Sequence, residues 1–213
     1  MSHDLRYALA IEMGVRTSSP TGWFWLLLGG ADRPLIAIVD DATSVAKPPD
    51  LELRAPGLWT ELRAQVEGEV VEVDLEAFGV ELDQPADLLG SAYGKRTALG
   101  AELEWDTAGD VRDTESGYEL ACEVHGELLI DDQTIELAGR GWRSHWWGDL
   151  RVNEGFSGFD HSGAAQRSPQ SPGEPAMRVP LPSGVDHELV LGPEHTGWVR
   201  RQSQVRRQGE VRR

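Results

Sequence analysis

Residues 139–150 read Gly-Arg-Gly-Trp-Arg-Ser-His-Trp-Trp-Gly-Asp-Leu, with three tryptophans, one histidine and two arginines in twelve positions. A plain core would use Leu and Val here, and a solvated surface Glu and Lys. Ser144, His145 and Asp149 offer the residue types of a nucleophilic triad, but neighbours on a strand point to opposite faces, so this spacing does not build one. His161, His187 and His195 lack metal-ligand spacing with one another or with Cys122, and no metal or other cofactor is expected. The Gly-Phe-Ser-Gly-Phe run at 155–159 is not a nucleophile elbow, and there is no phosphate loop. Glu102, Glu104 and Asp106 read as an outward, solvated row, with His125 exposed among glutamates. The chemistry left to the 139–150 stretch is that of a ligand pocket.

Parity says which side chains would line it. If Ile135 and Leu137 face inward, the same parity carried through Gly139 and Gly141 points Arg143, His145 and Trp147 inward. Trp142, Ser144 and Trp146 then point outward. A bulge at the Gly-Arg-Gly would reverse this, bringing Trp146 in and His145 out. A cation and an imidazole facing the interior are costly unless paired or wet, and a barrel cavity supplies such an interior. The competing reading is a Trp-rich strand that closes a barrel end, with Arg143 capping a sheet edge. Trp23, Trp25, Trp59 and Trp105 suit a core, and a lipophile-binding barrel would use the same residues. The candidate set is therefore His145 and Trp147, with Arg143, Trp146, Trp105 and Trp25 as further ligand contacts.

The elements that would position this set are strands. Residues 118–137 alternate cleanly, with Leu120, Cys122, Val124, Leu128 and Ile130 on one face and Glu119, Glu123, His125 and Glu127 on the other. Asp131-Asp132-Gln133 supplies a turn, and Ile135 and Leu137 resume the inward face. Residues 21–41 form two apolar runs joined by a hairpin-like Gly-Gly-Ala-Asp-Arg-Pro connection. Val71, Val73 and Leu75 share one parity while Phe78, Val80 and Leu82 share the other, which predicts a bulge or turn between them. Residues after Pro85 read as one short helix. Eight to ten strands with one wet face predict a mainly β fold, an antiparallel lipocalin-like barrel or sandwich.

Two regions are expected. Residues 1–150 form the β domain, with 11 basic against 29 acidic side chains. Residues 151–213 form a Pro/Gly/Ser/Gln/Arg-rich tail with little order. The acidic body argues against nucleic acid as a partner. The single cysteine, and the lack of an apolar run long enough for a signal peptide or membrane span, predict a cytoplasmic protein with no integral membrane segment.

The hairpin and its Gly139, Gly141, Arg143, Ser144, His145, Trp147, Gly148 ending resemble the carotenoid 1,2-hydratase (hydroxyneurosporene synthase) and AttH-like superfamily, in particular its uncharacterised bacterial branch. That family's pattern is Gly-x-Gly-x-Arg-Asp-His-x-Trp-Gly. The resemblance covers much of residues 1–150 and is specific over roughly the last thirty. It implies lipocalin-like barrels and an active-site role for His145 and Trp147, where an indole face stabilises a tertiary cation formed on an isoprenoid alkene and a carboxylic acid supplies the proton. Ser144 stands where the family has Asp, and no Tyr follows Tyr118 to match the family's downstream Asp and Tyr. The chain is accordingly expected to be a first half, a natural truncation, or a product whose reading frame changes near residue 151. The resulting expectation is a binder of an apolar, isoprenoid or lipid-like small molecule. The alternatives are a cofactor-free hydratase or lyase, and a truncated structural or interaction protein that self-associates through an uncovered sheet edge.

Overall fold

The computed structural model describes residues 2, 4, 6–15, 21–30, 33–46, 51–66, 69–82, 94–114, 117–146, 177–180, 187–192 and 195–200. Within them the protein is all β. Strands β1 (Tyr7–Val15), β2 (Thr21–Gly30), β3 (Arg33–Val45), β4 (Leu51–Ala55), β5 (Leu58–Val66), β6 (Val70–Leu82), β7 (Lys95–Thr107), β8 (Arg112–Thr114), β9 (Gly117–Ile130) and β10 (Gln133–Trp146) form one ten-stranded sheet. The path runs from β1 in sequence order to β7, then β9 and β10, with β8 pairing on β9. Every pairing is antiparallel. Six strands close into a barrel, and the rest extend it. Among the described residues no helix is long and apolar enough to cross a membrane.

The barrel interior is filled by side chains. Phe24, Leu26, Leu28, Ile36, Leu53, Leu75, Leu128, Ile130, Ile135 and Leu137 are buried in one cluster contributed by strands from β2 to β10. Each such side chain stabilises the fold by about 1.5–3 kcal/mol relative to exposure. The hairpin of β9 and β10 turns at Asp131, whose φ of 53° lies in the left-handed region. Its carboxylate accepts from the Ala98 amide at 3.0 Å and from Lys95 Nζ at 2.9 Å, tying the turn to β7. These bonds hold the Asp131 carboxyl below its ordinary range.

The predicted break within residues 71–82 does not occur. β6 is continuous and pairs β7 from Val70 to Glu81 without a register shift. The inward parity simply passes to small residues, Ala77 and Gly79, which lie buried. A Cβ on Gly79 would meet Ile36 Cγ2 at 2.8 Å, so Ile36 fills that space. Phe78 stays outside, with the Arg96 guanidinium 3.7 Å from its ring centroid.

β2 is buried on both faces. Phe24, Leu26 and Leu28 join the barrel core, whereas Trp23, Trp25 and Leu27 face away from it and are also buried. A second, three-stranded sheet comprises β11 (Met177–Pro180), β12 (His187–Gly192) and β13 (His195–Arg200), with β11 near β2 and β12 near β1. These three strands are the described part of residues 151–213. The short helix read after Pro85 lies outside the described residues.

Candidate functional site

β10 pairs β9 from Gln133 to Trp146 without interruption. The Gly139-Arg140-Gly141 segment therefore holds no bulge, and the inward parity of Ile135 and Leu137 reaches Arg143 and His145. Ser144 lies on the opposite face, which removes the Ser-His pairing of a triad. Trp147 and Asp149 lie outside the described residues. Trp146 ends β10 opposite Gly117.

The inward face changes character along β10. Ile135, Leu137 and Gly139 are buried, Gly141 and Arg143 are half-buried, and His145 is exposed. β1 shows the same gradient on its core-facing side: Tyr7 is buried, Leu9, Ile11 and Met13 are half-buried, and Val15 is exposed. Between the two strands, at the buried end, sits Ser2. It bridges to Gly139, donates its amide to the Tyr7 carbonyl at 2.9 Å, and accepts the Tyr7 amide on Oγ at 2.9 Å. Ser2 thus bridges the seam between β1 and β10 at this end, the two strands themselves not being paired with one another among the described residues. At the other end, the core-facing side chains are progressively uncovered.

Arg143 sits where the seam opens. Its direct partner on β9 is Leu120, and its Nη2 donates to Thr107 Oγ1 on β7 at 3.2 Å, reaching across β9 beneath the barrel wall. Cys122 lies between, opposite both Thr107 and Gly141. Burial pushes the Cys122 thiol up to about 11, against the opposing pull of the Arg143 charge and of a backbone hydrogen bond from Arg143. The folded protein favours the neutral thiol. This contribution to stability is complete below the ordinary value of 9.0 and is lost as pH climbs through about 11. Two outcomes are expected: slow reaction of Cys122 with a thiol-specific disulfide reagent at neutral pH until denaturant is added, and a melting temperature that falls on the alkaline side of this window more for wild type than for Cys122→Ala.

His145 packs edge-on against Tyr118, its direct partner, with ring centroids 5.5 Å apart and planes at 71°. Asp113 on β8 is the partner of Tyr118 on the other side. An imidazole, a phenol and a carboxylate thus occupy one row across β10, β9 and β8. Trp105 lies on the same face of β7, opposite Val124, half-buried against the core.

Trp25 does not join this group. It faces away from the core beside Glu12, its direct partner on β1. Trp23 Nε1 donates to Glu12 Oε1 at 3.2 Å. Burial raises the Glu12 carboxyl, with hydrogen bonds from Trp23 and Trp25 opposing the shift. Trp59 likewise lies outside the barrel, donating to Glu52 Oε1 at 3.0 Å.

Of the six sequence candidates, Arg143, His145 and Trp105 come together on one face. Thr107, Tyr118, Asp113 and the β1 residues Leu9, Ile11 and Met13 were missed. The alternation of Leu9, Ile11 and Met13 with Ala8, Ala10 and Glu12 was the available signal for β1. Comparison with known protein families, with curated proteins and with solved structures returns no match to this chain.

Proposed function

We propose that the protein is a lipocalin-like binder of an apolar small molecule, isoprenoid or lipid-like, held at the open end of the seam between β1 and β10. Leu9, Ile11, Met13, Trp105 and Tyr118 offer it apolar surface, and Arg143 and His145 meet its polar end. The observation that carries this reading is the coincidence of two gradients: core-facing apolar side chains become uncovered where a cation and an imidazole stand on the same face. Ligand sites are commonly apolar concavities with a few placed polar groups. The resemblance of the 139–148 stretch to isoprenoid hydratases supports the ligand class.

A second reading, hydration of an isoprenoid alkene, draws on the Asp113, Tyr118 and His145 row. Asp113 would give a proton to one alkene carbon, and water would attack the resulting tertiary cation with loss of a proton to His145.

Intrinsic fluorescence of the eight tryptophans, titrated with short to long isoprenoids and fatty acids, tests the binding reading. Saturable quenching is expected. For ligands ending in a hydroxyl or carboxylate, Arg143→Leu is expected to weaken affinity roughly tenfold, the scale of one charge-assisted hydrogen bond. No response to any ligand from a cooperatively melting protein would refute the proposal. Turnover of a bound alkene that stops in Asp113→Asn would favour the second reading.

A further inference from the structure

We propose that Glu104, Asp106 and His125 form a divalent-cation site on the outer face of the barrel, separate from the seam. Glu104 and Asp106 are two residues apart on β7, so their side chains leave the same face of the sheet. His125 is the direct partner of Glu104 on β9. His125 Nε2 lies 3.2 Å from Glu104 Oε1, and Nδ1 lies 3.5 Å from Asp106 Oδ2. One donor atom from each residue falls within 4.8 Å of the other two, and among the described residues no other three such donors lie so close.

One imidazole nitrogen with two carboxylate oxygens suits an ion of intermediate hardness, with Zn²⁺ the representative. Metal–ligand distances of about 2.0–2.2 Å require the donors to draw in to roughly 3.4 Å of one another. The side chains are exposed at 52%, 37% and 42% for His125, Glu104 and Asp106, so they can rotate to close on an ion. Three protein ligands leave the remaining positions to water.

The surrounding charge favours a cation. Glu72 stands opposite Glu104 on β6, where Arg63 holds it at 3.2 Å, and Glu123 stands opposite Asp106 on β9. Arg140 takes Glu123 at 3.1 Å. The adjacent row is carboxylate on six consecutive strands of the sheet: Glu52, Glu61, Asp74, Glu102, Glu127 and Glu136. Like charges directly opposite one another destabilise a sheet, and a bound cation reduces that repulsion. Arg54 takes Glu52, and Arg63 takes Glu61 and Asp74, so the field comes from the Glu102, Glu127 and Glu136 end of the row, and the His125 nitrogen fixes where the ion sits and which ion it is.

Calorimetric titration of the full chain with Zn²⁺, in a background of excess Mg²⁺, tests this. A stoichiometric ion is expected whose affinity drops roughly tenfold or more in both His125→Ala and Glu104→Gln. The metal-free melting curves of these surface variants are expected to match wild type. Equal Zn²⁺ affinity in His125→Ala would overturn the proposal, since the ion would then sit elsewhere. So would displacement of Zn²⁺ by Mg²⁺, which marks diffuse attraction to carboxylates, or no uptake by wild type.

Discussion

Gly126→Ala is expected to lower stability by about 3 kcal/mol or more, combining backbone strain with overpacking. Gly126 lies in the middle of β9, between Leu103 on β7 and Leu137 on β10. Its φ is 139°, in a region that L side chains rarely adopt. A Cβ there would sit 2.0 Å from the Glu102 carbonyl oxygen and 3.0 Å from Leu103 Cα. These are backbone atoms of a paired strand, so no side-chain rotation relieves the contact. Either β9 changes its φ or β7 moves away, and both disturb the ladder beneath which Leu103, Leu128 and Leu137 pack. For a chain of this size each kcal/mol corresponds to roughly 2–4 °C in Tm. The measurement is urea unfolding followed by tryptophan fluorescence, with the midpoint falling at unchanged slope. A wild-type midpoint for Gly126→Ala would mean that the close approach of β7 and β9 at this position is wrong.

Phe24→Ala is expected to cost about 3–5 kcal/mol, the range for deleting a large aromatic side chain from a packed interior. Phe24 is 1% exposed and faces the barrel core from β2. Its neighbours across the strands are Met13 on β1 and Asp40 on β3, so the barrel has little on that side with which to refill the volume. Trp25, one residue on, supplies the contrast. It is also buried, but on the outer face, so Trp25→Phe keeps most of the packing, losing one ring's edge and the indole N–H near Glu12. Thermal melts of both variants separate the two faces: a large drop is expected for Phe24→Ala and a small one for Trp25→Phe. Equal drops would contradict the assignment of the filled interior to the Phe24 side.

The fold was most legible where one face is wet. In β9 apolar and acidic residues alternate, and Leu120, Cys122, Val124, Leu128 and Ile130 all enter the core as the pattern requires. The inward placement of Arg143 and His145 followed from the same parity, because Gly139 and Gly141 pair Val124 and Cys122 without a shift. Legibility failed where alternation carries no information. Trp23 to Leu28 is apolar throughout, so the sequence does not say that Trp25 turns away from the interior. β6 misled for a related reason: Ala77 and Gly79 take inward positions because neighbouring side chains already fill that volume, and this is a property of the assembled barrel. The row of Asp113, Tyr118 and His145 depends on β8 pairing with the start of β9, a tertiary fact that no local pattern announces.

An apolar ligand at the open end of the β1–β10 seam would lie against Met13 of β1. The most direct measurement uses ε-¹³C-methyl methionine. The chain has three methionines, Met1, Met13 and Met177, and Met13 lies on the core-facing side of β1 at the seam. Titration with the tightest isoprenoid or fatty acid is predicted to move the Met13 methyl resonance saturably, with the same midpoint as the fluorescence quenching, and to leave Met1 and Met177 in place. Binding seen by fluorescence with an unmoved Met13 methyl would place the ligand elsewhere and contradict the account.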